Sequence, residues 1–466
     1  MNKKVINSWC FYDWANSAFA TTVMAGFFPL FFKQYWSQGV SVNESTFFLG
    51  LANSLSAILI AVIAPLLGAI ADQGSWKKKF LITFAYLGVL MTASLFLVAQ
   101  GNWVLAAILY AIGTMGYSGA NVLYDSLLTD ITTEDNVDFV SSKGFALGYL
   151  GGGLLFALNV FMYLNPSVFG LPDGATAVKV SFLMVAVWWA LFTIPLIKWV
   201  PEVKKELPEG VNFVVAGFKQ FGNTFSKIKH LKVLFTFLIA YWLYIDGVDT
   251  IIRMAVDYGM SIGFEASSLI VALLIVQFIG FPAALFFGWL GKKWDVKKSI
   301  YVGIAVYLGV TIYATTITME WQFYLLAVVI ALVQGGIQAL SRSYYSRLIP
   351  KNLSGEFYGF YNMLGKFAAI IGPLLIGSVG LFARQALNLP EMTSSRVSIA
   401  SVAILFIAGG WLLSKVDEEQ GRKEAKILMD AGVIEPDSSS LKYCTSNGSK
   451  LTENRSANLT RCDAWA

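Results

Sequence analysis

A single histidine, His230, stands in a chain of 466 residues. Neither an HExxH zinc helix nor a histidine-centred catalytic triad can be built from it, and no GxxxxGK[ST] loop is present to cradle a nucleotide phosphate. No enzyme activity, metal or cofactor is therefore expected, and ATP-driven work would need another subunit. Cysteine is also scarce: Cys10, Cys444 and Cys462 are three thiols, an odd number that implies no disulfide framework. Charge is the largest deficit, at 14% of residues against roughly 25% in a soluble domain.

What fills the space is apolar. Hydrophobic residues make up 56% of the chain and the mean hydropathy is +0.62, which marks a membrane protein. About twelve apolar runs are long enough to cross roughly 30 Å of hydrocarbon as helices. They lie near 8–36, 46–71, 79–99, 103–127, 142–164, 178–199, 233–258, 266–290, 299–318, 322–345, 355–381 and 396–415. None alternates as a membrane barrel strand does, and helices satisfy their own backbone groups in lipid. The first run is too long for a secretory signal and lacks a small-residue cleavage site, so it is expected to remain as span one.

Basic residues give the orientation. Lys3 and Lys4 precede span one, Lys77 to Lys79 follow span two, and Lys292, Lys293, Lys297 and Lys298 follow span eight. Arg347 and Lys351 follow span ten, and Arg422 and Lys423 follow span twelve. The alternate loops 37–45 and 100–102 have no Lys or Arg, and Arg384 and Arg396 alone break the pattern in the last outer loop. The positive-inside rule then puts both termini in the cytoplasm. The net charge of +5 reports this topology and not nucleic-acid binding. A monomer in a bacterial cytoplasmic (inner) membrane is expected, or in a vacuolar or lysosome-like membrane if the chain is eukaryotic.

The apolar rhythm breaks once, where Pro201, Glu202, Lys204, Lys205, Glu206 and Pro208 form a charged linker. Four regions follow: a six-helix bundle over 1–200, a linker with an amphipathic helix over 201–232, a second six-helix bundle over 233–415, and a mobile cytoplasmic tail over 416–466. In the linker, Val214, Phe218, Phe221, Phe225 and Ile228 recur at helical spacing, which suits a helix on the inner membrane surface or one packed on the end of the bundle. The tail carries Asn447, Asn454 and Asn458 in glycosylation patterns that would go unused on the cytoplasmic side.

The halves repeat. Gly68-AIA-Asp72-QGSW-Lys77-Lys78 after span two matches Gly288-WLG-Lys292-KWDV-Lys297-Lys298 after span eight, and Trp9-CFY-Asp13-WA-Asn16 in span one matches Trp242-LYI-Asp246-GV-Asp249 in span seven. Such matches favour a parallel duplication about an axis normal to the membrane. The fold expected is all-α: twelve transmembrane helices in two pseudo-symmetric six-helix bundles.

The stretch from Gly68 to Lys78 resembles the loop motif of the major facilitator superfamily, although Ser75 stands where many members have a second glycine. Residues 9-WCFYDWANSAFAT-21 and 335-GGIQALSRSYYSRLIPKNLSGEFYGFYNMLGKFAAIIGP-373 resemble, within it, the autophagy-related vacuole effluxers and their bacterial relatives. The resemblance implies a secondary transporter alternating access to a central site and, for the fungal vacuolar members, export of amino acids to the cytosol.

Charged groups at mid-membrane cost roughly 2.5–3.5 kcal/mol and mark pathways. Asp246, Asp249 and Arg253 fall on one face of span seven, where Asp249 and Arg253 are spaced to pair. Two acids against one base leave a carboxylate to spare, which makes Asp246 the better proton carrier; the bland alternative is a structural ion pair. Asp13, Asn16, Ser17 and Thr21 form a stripe on span one that faces the cavity or lies at its inner rim, since Trp9, Tyr12 and Trp14 also read as an interfacial belt. Lys366 is expected to line the cavity. Asp72, Lys77 and Lys78 read as a cytoplasmic gate or as a basic anchor, and Asp125 with Arg342 as a half-to-half or helix-end pair. Glycines of spans five and eleven read as sliding contacts between halves. The function expected is proton-linked transport of a small polar organic solute, amino acids first. Rivals are export of amphipathic drugs or a siderophore, and a sensor that keeps the fold without transporting.

Overall fold

The computed structural model describes residues 2–39, 42–202, 213–227, 231–261 and 264–433, and every regular element among them is helical. The first half holds α1 (Lys3–Trp36), α2 (Val42–Gly74), α3 (Lys77–Ser94), α4 (Trp103–Ile131), α5 (Val137–Leu164) and α6 (Gly174–Trp199). The linker forms α7 (Phe213–Lys227). The second half holds α8 (Lys232–Ser261), α9 (Ala266–Lys293), α10 (Val296–Ala314), α11 (Glu320–Leu348), α12 (Ser354–Gln385), α13 (Glu391–Ser401) and α14 (Ala403–Ser414). A last helix, α15, spans Glu418–Val433.

Ten helical stretches among the described residues are long and apolar enough to cross a membrane. In α2 and α12 only the shorter apolar parts Ile58–Gly74 and Leu374–Gln385 count. The sequence starts several helices with polar side chains that take up orphan N–H groups: Asn2 accepts from Lys4, Asp173 from Thr176 and Asp295 from Lys298. Two stretches of α1, Phe19–Phe27 and Phe32–Trp36, are wound as π-helix, a looser winding that often marks functional segments.

The buried apolar side chains form two large clusters. One draws only on residues 6 to 200 and the other only on residues 231 to 416. The halves meet closely where glycine permits. A Cβ on Gly68 of α2 would stand 1.9 Å from the carbonyl oxygen of Gly355 in α12, and one on Gly288 of α9 would stand 2.6 Å from Ser142 Cβ of α5. The α5 glycines expected at the seam divide: Gly153 meets Gln277 of the other half, but Gly148, Gly151 and Gly152 press on Ser17, Trp14 and Thr21 of α1.

Helix α7 sits on the ends of two helices, with Gly217 against Ile70 of α2 and the Phe221 ring 6.0 Å from that of Phe360 in α12. The mobile tail expected from residue 416 needs correction over its first part. Residues 418–433 are the helix α15, held because Gly421 packs on Leu348 and Val233 while its charges find partners in both halves. The rest of that segment, with Cys444, Cys462 and the glycosylation patterns, lies outside the described residues, as does His230.

Candidate functional site

Two adjoining cavities of about 270 and 240 Å³ lie between the halves and share Ser17, Tyr117, Phe145 and Gln338. The larger is walled by Ile251, Leu269, Leu273, Val276 and Phe323, with Gln277 and Gln334 as polar points. The other is polar: Asp13, Asn121, Asp125, Asp249, Arg342 and Asn362 line it. A solute held across both would meet charge at one end and hydrocarbon at the other.

Arg342, on α11 of the second half, forms one wall of the polar chamber and inserts into a socket made by the first. Its Nη1 donates to Asp125 Oδ1 at 2.9 Å, its Nε to Ser141 Oγ at 2.9 Å and its Nη2 to the Ser141 carbonyl at 2.9 Å. Asp13 Oδ2 lies 3.8 Å from Nη2 and accepts the Tyr124 hydroxyl at 2.7 Å. The guanidinium faces the rings of Trp9, Tyr124 and Phe145 at 5.0, 5.6 and 4.5 Å. From the second half, Asn362 also donates to Asp125, at 3.1 Å. A buried charge persists only when paired and hydrogen-bonded, and this one has carboxylates, hydroxyl, carbonyl and ring faces together. Trp9 and Tyr12 are fully buried, so the interfacial-belt reading fails for them; Trp9 stacks on Tyr124 at 4.2 Å as part of the socket.

Below the socket, toward the basic loops, the halves touch again. Asp72 is buried and accepts the backbone N–H groups of Gly355 and Glu356 at 3.1 and 2.9 Å, so it closes the N-terminus of α12, where helix dipole and unpaired donors favour an anion. Lys77 bridges Asp72 at 3.2 Å and Asp130 at 3.0 Å and donates to Ser354 at 2.8 Å. Lys78 does not reach this seam. One residue on around the helix, it donates to the Val200 carbonyl at 2.8 Å and ties α3 to the end of α6 in its own half. A second bridge runs from Asp138 through Arg347, Glu418 and Arg422 to Glu134, with α15 as its middle span.

The remaining expected site residues scatter. Asn16 is buried and donates to Asn121 at 2.6 Å, one layer behind the cavity wall. Asp249 lines the polar chamber, whereas Asp246 does not. Both oxygens of Asp246 accept the Gly372 N–H, at 3.0 and 3.1 Å, and Thr250 donates to it at 3.2 Å. Asp246 thus faces α12 behind the wall, because three residues along a helix turn a side chain about 60° from its neighbour. The side chains of Arg253 and Lys366 lie outside the described residues. Sequence reasoning missed Ser141, Tyr124, Asn121, Asn362 and the Asp138–Arg347 pair. One signal was available: a guanidinium has five donors, more than Asp125 alone satisfies, so further acceptors had to exist.

With this geometry in view, comparison with known proteins is informative. The family described as "Vacuole effluxer Atg22 like" matches residues 1–426. The chain belongs to that family. It is 41% identical over 418 residues to the uncharacterized MFS-type transporter YxiO of Bacillus subtilis, across 89% of this chain and 95% of that one. It is 24% identical to Autophagy-related protein 22 of Yarrowia lipolytica, across 84% and 78%. Among solved structures, the human organic anion transporter MFSD10 superposes with a TM-score of 0.63 at 13% identity, across 88% of this chain and 99% of that one. The proton:xylose symporter XylE gives 0.62 at 14%, across 91% and 97%. Those two likenesses show the fold. This Atg22-like protein is a multi-pass major facilitator transporter of a small-molecule substrate and not an enzyme.

Proposed function

We propose that the protein is a proton-linked secondary transporter of amino acids, with residues 1–200 rocking against 230–415 about the central cavity. Both termini are cytoplasmic in this reading, twelve spans cross the membrane, and the conformer is outward-facing because the halves are joined at the basic end. The observation that carries the proposal is the two-chambered cavity between the halves. Its polar chamber suits a zwitterionic head and its apolar chamber a side chain. Asp13 and Asp125 both lie against Arg342, so a proton or a solute ammonium arriving there competes with a contact that binds the halves, and a few kcal/mol suffices to bias two such states. Asp246 is the proton carrier held against α12, and Asp249, Arg253 and Lys366 complete the polar grip.

Counterflow in proteoliposomes with labelled amino acids tests the reading. Exchange is expected; bound ligand without exchange would make the protein a sensor. The apolar chamber gives export of amphipathic drugs or a siderophore its own footing, and competition against amino-acid exchange separates the two. Asp246→Asn is expected to abolish gradient-driven accumulation while keeping exchange, and unchanged accumulation would remove its role as the proton carrier.

A further inference from the structure

On the outer surface, where the start of α1 meets the end of α6, lies a groove of about 460 Å³ that the transport cycle does not use. Its floor is Phe11, Phe192 and Pro195 and its head carries Lys4, Asn7 and Trp199. The Lys4 ammonium sits 4.3 Å above the Trp199 ring. A second ammonium is brought to the head from α5: Lys143 donates to Asn7 Oδ1 at 2.6 Å, which leaves the Asn7 NH2 to point elsewhere. Among the described residues lining the groove none is acidic. Below the head, Phe11 stacks on Phe192 at 6.5 Å and Trp14 on Trp188 at 5.5 Å, an aromatic row that continues down the same two helices. Phe11 and Trp199 are 36% and 42% exposed.

Two ammonium groups and an amide donor stand above a strip of rings, at the end of the bundle where the basic loops gather. Basic residues at that height attract anionic headgroups, and aromatic rings mark the headgroup layer. The geometry points to a binding site for an anionic phospholipid, its phosphate between Lys4 and Lys143 and an acyl chain along Phe11, Phe192 and Pro195. The bound lipid would tie α1, which carries Asp13, to α5 and α6. This inference is independent of the solute that is transported.

The test uses purified full-length protein in a neutral detergent, with lipid binding followed by native mass spectrometry and by thermal unfolding. Dioleoylphosphatidylglycerol is compared with dioleoylphosphatidylcholine at equal concentration. Each lysine is worth roughly a five-fold preference for the anionic lipid, so Lys4→Gln combined with Lys143→Gln should reduce that preference roughly twenty-five-fold and leave phosphatidylcholine binding unchanged. If the double variant does not fold, Asn7→Leu at the exposed head of the groove removes the amide donor and Lys143's partner, and should weaken the preference alone. Equal binding of the two lipids by the wild type, a preference that survives substitution, or full stabilisation by inorganic phosphate alone would each overturn the proposal.

Discussion

Asp13 and Asp246 occupy matching places in two related stretches (246 − 13 = 233), yet they serve different interfaces. Asp13 lies against Arg342 of the other half. Asp246 is satisfied within its own half, by a backbone N–H of α12 and by Thr250. The loops after α2 and α9 diverge in the same direction. Their leading glycines (288 − 68 = 220) each press on the opposite half. Four residues later the first loop has Asp72, which grips α12 across the seam, and the second has the exposed Lys292. Lys297, the counterpart of Lys77, donates to Ser414 and Val416 carbonyls of its own half. The glycines at the head of the two loops pack alike across the seam, while the seam charges of this pair of loops, Asp72 and Lys77, belong to the first loop alone.

The largest expected effect comes from removing the cation that links the halves. Arg342→Ala would leave Asp125 and Asp13 buried without their partner, at a cost of about 3–5 kcal/mol. A lowered Tm and lost transport in proteoliposomes are expected; a variant as stable and active as the wild type would show that the socket carries no weight. Next come the two glycines, where the comparison predicts similarity graded by contact. Gly68→Ala drives a methyl into backbone at 1.9 Å and should cost the joined arrangement about 3 kcal/mol, whereas Gly288→Ala meets Ser142 Cβ at 2.6 Å and should cost less, about 2 kcal/mol. Disulfide trapping between cysteines placed at Ser126 and Ser354, where the Ser354 hydroxyl donates to the Ser126 backbone carbonyl across the seam at 3.3 Å, reads both. Equal trapping in the two variants would break the ranking.

Helices were legible in the sequence because hydropathy is local. Charges in hydrocarbon were legible too, so Asp13, Asp125 and Arg342 stood out before any partner was known. The Asp125–Arg342 pair was among the expected half-to-half contacts and it forms, whereas the places of Asp13 and Ser141 beside it were not legible, since they depend on which faces distant helices turn to each other. Trp9 and Tyr12 misled because an interfacial belt and a cation socket use the same residue types. Asp246 and Asp249 share a helical face only coarsely, and the angle between them is enough to send one to α12 and the other to the cavity. Residues 418–433 read as a solvated tail because their charge-rich pattern gives no hint that Glu134 and Arg347 wait as partners in the two halves.

The smallest effect is the most discriminating. Asp72→Asn keeps an oxygen for only one of the N–H groups of Gly355 and Glu356, which meet different carboxylate oxygens, and sets its NH2 against the other, so it forfeits one hydrogen bond with the helix-dipole and Lys77 attraction, at least about 1 kcal/mol at this helix end. That corresponds to at least roughly a five-fold loss in the population joined at the basic end, measurable as slower trapping of the same cysteine pair. Lys292→Gln alters the matching position of the other loop, where the side chain is exposed, and should leave the trapping rate unchanged. If Lys292→Gln slows trapping as much as Asp72→Asn does, the two loops hold the halves alike, and the asymmetry of charge has no part in the equilibrium between states.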